Sequence, residues 1–231
     1  MSLTLISLAI APILICAFYI FIRDKYEKEP IRLLVLGLFY GALITIPIIK
    51  TGQFLLVFIP NGGVMLDAFY NSFFIAALTE EFFKYTVLFF LVFYNHNFNE
   101  KFDGIVYAVF ISLGFAGFEN VMYVLNPELG GYQTAFARAF VSVPGHALFG
   151  VTMGYYFSLI KYEPKNKVKY AILAFFVPYL IHGVYNFILL SGITYMYVLF
   201  IPFLLYMWVN GFKKMKHHIE QSPFKITENL Y

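Results

Sequence analysis

Apolar runs long enough to cross a bilayer recur from one end of this chain to the other, with only short polar breaks between them. At roughly 1.5 Å of rise per residue, a helix needs about 20 residues to cross a hydrocarbon core about 30 Å thick. The runs fall at 3–22, 33–49, 64–94, 104–125, 134–160, 170–190 and 194–212. The pattern predicts an all-α, polytopic membrane protein with about seven transmembrane helices. The sequence is 61% hydrophobic and 13% charged, against roughly 25% charged residues in soluble domains. A large soluble domain, a nucleotide-binding fold and a sizeable extracellular module are therefore excluded. A net charge of +3 is too small to call for nucleic acid, and the implied surroundings are the lipid bilayer. Residues 1–212 read as one transmembrane domain and 213–231 as a short, solvated cytoplasmic tail that carries His217 and His218.

Orientation follows from the basic residues. All of the 16 Lys and Arg except Lys50, Lys84 and Arg138 fall in alternate breaks, at Arg23 to Arg32, Lys101, Lys161 to Lys169 and beyond Lys213. The positive-inside rule puts those breaks in the cytoplasm, the amino terminus outside and the carboxyl terminus inside, which requires an odd number of crossings. The first run has no basic leader and is followed at once by Arg23, Asp24 and Lys25, as in an uncleaved anchor. Cys16 is the single cysteine, so no intrachain disulfide forms, and it reads as a small hydrophobe.

The informative residues are the ionisable ones inside the runs: Glu80, Glu81 and Lys84 in the third, Glu119 in the fourth, Arg138 and His146 in the fifth and His182 in the sixth. A charge at mid-bilayer costs about 2.5–3.5 kcal/mol on insertion scales, so such groups face a bundle interior or a wet cavity. Counting about 1.5 Å per residue from the outer ends puts Glu80 and Glu81 roughly 20–25 Å deep, His146 about 18 Å, His182 about 15 Å and Glu119 about 10 Å. Four helices thus bring polar groups to middle or outer depth. Lys84 follows Glu80 by four residues and Glu81 by three, so one ammonium lies near both carboxylates and leaves one of them freer. Asn186 shares a helix face with His182, and Tyr123 with Glu119, through the same four-residue spacing. Gly114, Gly117, Gly145, Gly150 and Gly154 would let neighbouring helices approach closely.

The chain has no His-Glu-x-x-His zinc motif and no Gly-x-Ser-x-Gly elbow. Ser142 precedes His146 by four, which permits a Ser–His pair without an accompanying oxyanion motif. What remains is a glutamate, two histidines and an amide. A carboxylate can act as general base on water, and imidazole and amide groups can donate to an oxyanion. Glu80, Glu81, Glu119, His146 and His182 could instead hold a divalent metal such as zinc that activates the water. The residues leave both mechanisms open, as well as a proton relay in a transporter. The internal duplication of many transporters is not evident here.

Four segments, Glu80-Glu81-Phe-Phe-Lys84, Phe118-Glu119-Asn-Val-Met-Tyr123, His146-Ala-Leu-Phe-Gly150 and His182-Gly-Val-Tyr-Asn186, resemble in order and spacing the signatures of the PrsW family of bacterial intramembrane proteases. Asp24-Lys-Tyr-Glu-Lys-Glu-Pro30, Asp103-Gly-Ile-Val-Tyr107 and Gly114-Phe-Ala116 extend the likeness over nearly the whole chain. More distantly, the set is similar to the CAAX-processing and bacteriocin-processing membrane proteases. The resemblance implies an intramembrane endopeptidase in the bacterial cell membrane. Glu80 or Glu81 would activate water with help from His146, His182 and Asn186 would lie near the oxyanion, and Glu119 would belong to the site, while Lys84 and Tyr123, placed beside it by their helical spacing, read as supporting residues. It also implies a membrane-anchored anti-sigma factor as substrate, cut on its extracytoplasmic side. The glutamate mechanism it suggests needs no metal.

Overall fold

The computed structural model describes residues 3–60 and 62–225, and those residues form helices and turns with no strand. The last six residues of the expected tail, 226–231, lie outside the described residues. Helix α1 spans Leu3–Arg23 and α2 spans Ile31–Leu43, which α3, Thr45–Leu56, continues after a break at Ile44. Pro47 accounts for that break, because it has no N–H to bond the Leu43 carbonyl and its ring crowds that oxygen. The third rod consists of α4, Val64–Tyr70, a π-helical stretch at Asn71–Ala77, and α5, Leu78–Val92. Then follow α6, Lys101–Val124, the short α7, Tyr132–Phe140, α8, Ser142–Tyr162, α9, Lys167–Leu190, and α10, Thr194–Glu220.

Among the described residues, five helical stretches are long and apolar enough to cross a membrane: Leu3–Arg23, Ile31–Leu56, Lys101–Val124, Pro164–Leu190 and Thr194–Glu220. The other two expected spans, 64–94 and 134–160, are interrupted as well. The first changes pitch at its π stretch. The second breaks at Val141, where Pro144 does to the Phe140 carbonyl what Pro47 does to that of Leu43. Both interruptions lie beside the polar cavity described below.

Helix α6 is the axis of the bundle. It is 72% buried across its apolar window, against 17–33% for the other four, and it packs most extensively against α8, α2 and α1. Contact with α8 is backbone to backbone: a Cβ added at Gly154 would collide with the Gly104 carbonyl, and one at Gly114 with the carbonyl of Leu38 on α2. Small residues permit this approach where lipid supplies no hydrophobic drive between helices. The outer helices turn large apolar groups outward, among them Phe39, Phe90, Leu180, Val198 and Ile201. An apolar perimeter, with the buried charges kept inside the bundle, suits a hydrocarbon solvent.

At the end of the bundle that the basic loops place in the cytoplasm, buried carboxyls tie the α1–α2 loop to the start of α6. Asp24 accepts from the Glu29 N–H at 3.0 Å, Asp103 accepts from the N–H groups of Asn99 and Glu100 at 2.8 and 2.7 Å, and Tyr107 donates to Glu29. Glu100 and Asp103 together form a capping box on α6. The expected solvated tail is partly corrected here: α10 runs on past Phe212 to Glu220, and His218 is fully buried. Its ring stacks on Tyr155 at 4.3 Å, and its Nε2 lies 2.8 Å from Ser158 Oγ.

Burial pushes the Asp24 carboxyl up to about 6 and those of Glu29 and Glu100 up to about 7, outweighing the Glu29 N–H and Lys28 at Asp24, Tyr107 at Glu29 and Ser222 at Glu100. Unfolded carboxyls titrate near about 4. The folded chain therefore binds more protons between these values, and the stability these groups contribute is present below about pH 4 and lost as pH rises through about 6–7. The melting temperature in detergent is expected to fall between about pH 5 and pH 8, and to fall less in Glu29→Gln. A flat profile in the unmodified protein would contradict this account.

Candidate active site

The expected site residues converge, and they do so through side chains that apolar helices cannot leave in lipid. Near the start of α5, Glu80, Glu81 and Lys84 are all buried, Glu81 and Lys84 completely. Lys84 Nζ donates to Glu81 Oε1 at 2.9 Å, to Glu80 Oε2 at 3.3 Å and to His146 Nδ1 of α8 at 3.3 Å, and it sits 4.4 Å from the centre of the Phe115 ring. One ammonium thereby offsets two carboxylates and joins α5 to α8. Because its Nδ1 accepts from an ammonium, His146 carries its proton on Nε2 and donates to Glu119 Oε2 at 3.2 Å.

Helix α9 supplies the opposite wall. His182 Nδ1 donates to Glu81 Oε1 at 2.8 Å, and its Nε2 accepts from Asn186 Nδ2 at 3.1 Å. The partners assign the tautomer, which leaves Nε2 as an acceptor, 3.9 Å from Glu80 Oε2. Phe149 stacks on the His182 imidazole at 4.5 Å and fixes its plane. Gly183, next along α9, holds no side chain where Phe73 of the π stretch lies against the helix.

These groups surround a cavity of about 630 Å³. Glu80, Glu119, Tyr123, His146, His182 and Asn186 all line it, whereas Glu81 and Lys84 lie behind its wall. The π stretch contributes Asn71, Ile75 and Ala76 to the lining, and α10 contributes Phe200. Short π segments often mark functional sites, because the wider turn displaces the wall.

Several lining residues were not placed in the site by the sequence pattern. Arg138 donates to Glu119 Oε2 at 2.5 Å and to Asn120 Oδ1 at 2.8 Å, while its guanidinium lies 4.1 Å from the centre of the Tyr123 ring. Asn120 in turn donates to the Ala9 carbonyl at 2.7 Å, tying this network to α1. An arginine inside an apolar run was the available signal for it. Tyr185 also lines the cavity with its hydroxyl buried; its place inside the His182-Gly-Val-Tyr-Asn186 segment, three residues after His182, was the available signal for it. Ser142 lines the cavity too, but both nitrogens of His146 are engaged by Lys84 and Glu119, so no Ser–His pair forms.

The same acids and imidazole can accommodate a metal ion. Glu80, Glu81 and His182 each offer a ligand atom, all within 4.8 Å of one another, and Glu81 Oε2 is buried without a hydrogen-bond partner among the described residues. Two carboxylate oxygens and an imidazole nitrogen form a donor set that zinc accepts. The Lys84 ammonium would compete with such an ion for the same carboxylates.

Acids, imidazoles and an amide around a polar cavity inside a membrane bundle are the groups an intramembrane hydrolase requires. Residues 29–209 match the model of the PrsW family of intramembrane metalloproteases, and the chain belongs to that family. It is 38% identical to the protease PrsW of Oceanobacillus iheyensis over 95% of this chain and 98% of that one. It is 36% identical to protease PrsW of Clostridioides difficile over all of this chain and 98% of the relative, and 34% identical to that of Bacillus subtilis over 92% and 94%. No solved structure matches. The chain is thus an intramembrane protease and a multi-pass membrane protein, and in bacteria such as those of its relatives that membrane is the cell membrane.

Proposed function

We propose that the chain is an endopeptidase that cuts a membrane-anchored regulatory protein, an anti-sigma factor by family resemblance, with water activated by Glu80. The observation that carries this reading is the division of labour in the acid pair. Glu80 lines the cavity, whereas Glu81 is enclosed and bonded to Lys84 and His182. Glu80 takes the proton as water attacks the peptide carbonyl carbon. Lys84 and Glu81 hold Glu80 and His182 in register. Glu119, itself held by Arg138, orients His146, and Asn186 has a second amide hydrogen to donate to the oxyanion.

With the amino terminus outside, the acid cluster is cytoplasmic, and the cavity, lined by Asn71, Arg138 and Leu190 near the other ends of their helices, lies toward the outer leaflet. That orientation suits a cut on the extracytoplasmic side of a single-span substrate. Membership of a protease family weighs against the transporter reading.

The family description as metalloproteases and the Glu80, Glu81 and His182 donor set favour a second reading, in which those residues hold zinc. Zinc there would lower the pKa of a bound water and polarise the peptide carbonyl. Purified protein incubated with a single-span anti-sigma factor, with and without a strong chelator, separates the two. Cleavage that survives chelation supports the glutamate mechanism. Cleavage that disappears and returns with added zinc transfers the site to the metal reading, and absence of cleavage in every condition counts against this substrate class.

A further inference from the structure

Tyr185 lies between His182 and Asn186 on α9, on the face that both present to the cavity. The residue is 4% exposed, and its hydroxyl is buried without a hydrogen-bond partner among the described residues. Its ring is held edge-on between Phe149, with centroids 5.5 Å apart, and Phe200 of α10, at 5.0 Å, so the hydroxyl has little freedom to swing elsewhere. Gly145, immediately before His146, makes room for it: a Cβ there would come within 3.3 Å of the Tyr185 oxygen.

A buried donor left unpaired is destabilising. Phenylalanine would fill the same space without that cost, so packing alone does not account for the hydroxyl. The imidazoles and the amide that flank Tyr185, meanwhile, have few donors to spare. His182 Nε2 is an acceptor, His146 gives its proton to Glu119, and Asn186 spends one amide hydrogen on His182. A tetrahedral intermediate needs hydrogen-bond donors aimed at its oxyanion.

We infer that Tyr185 is a catalytic residue whose hydroxyl donates to the scissile carbonyl oxygen as negative charge builds on it, together with the free amide hydrogen of Asn186. The inference rests on the proposed role of Glu80. Water oxygen bonds to the carbonyl carbon, its proton passes to Glu80, and the carbonyl π pair moves onto the oxygen facing Tyr185 and Asn186. When the carbonyl re-forms, the carbon–nitrogen bond breaks, and the proton held by Glu80 passes to the departing amine.

The test compares unmodified protein, Tyr185→Phe and Glu80→Gln in detergent on one single-span anti-sigma factor cleaved by the unmodified chain. Loss of one oxyanion donor typically lowers kcat about 10²–10³-fold. Tyr185→Phe is expected to show that loss with KM unchanged and a melting temperature equal to or above that of the unmodified protein. A kcat within about twofold of the unmodified protein, with Glu80→Gln inactive, would overturn the role of Tyr185 and leave that of Glu80 standing. Activity in Glu80→Gln would sink the underlying site reading instead. Should Tyr185→Phe unfold, 3-fluorotyrosine placed at 185 keeps the shape and alters the acidity of the hydroxyl. A changed kcat there supports the inference, and an unchanged one overturns it.

Discussion

Glu80→Gln is expected to lower the cleavage rate by about 10²–10⁴-fold, the usual contribution of a general base, while the protein still folds and inserts. The side chains are nearly equal in volume, so the cavity keeps its shape. What goes is the ability to take a proton from water, along with one of the two carboxylates that offset Lys84. Because Glu81 retains its contact with Lys84 at 2.9 Å and with His182 at 2.8 Å, the wall behind the cavity should persist. The measurement is product formation against time, with the melting temperature as the control for folding. A rate near that of the unmodified protein would remove Glu80 from the chemistry. Glu81→Gln offers the contrast: its loss of activity is expected to come with loss of stability, because its oxygen holds two partners inside the wall.

The largest stability effect is expected from Lys84→Met. Removing one member of a buried ion pair leaves an uncompensated charge and typically costs about 3–5 kcal/mol. Here the ammonium is shared by Glu80, Glu81 and His146, and all of its partners are buried. The variant is expected to melt far below the unmodified protein in detergent or to accumulate poorly. The double variant Glu81→Gln, Lys84→Met removes one of the two stranded carboxylates and should recover part of the loss without recovering activity. If the two single losses simply add in the double variant, the pair is not coupled and this account of Lys84 fails.

Much of this site was legible in the sequence because the bilayer penalises charge. Glu80, Glu81, Lys84, Glu119, His146 and His182 stood out against apolar surroundings, and the four-residue helical spacing added Asn186 and Tyr123. Less visible was which glutamate meets the cavity. That depends on how far Lys84 reaches and on the position of His182, both set by packing between α5 and α9. Tyr185 stood inside one of the four signature segments, three residues after His182, but the sequence pattern took its neighbours His182 and Asn186 and passed it over; the missing partner of its hydroxyl brings it forward. Pro47 and Pro144 were readable as letters, but an apolar run gives no sign that a helix stops and restarts within it. The burial of His218 was missed because Lys213, Lys214 and Lys216 mask a helix that continues on its other face.

The π stretch at Asn71–Ala77 works like a swivel in an otherwise rigid wall. Because its turns are wider than those of the helices on either side, α4 takes a rotational phase of its own relative to α5. The phase of α4 is thereby uncoupled from the aim of the paired acids one turn below, with Asn71, Ile75 and Ala76 of the stretch between them facing the pocket.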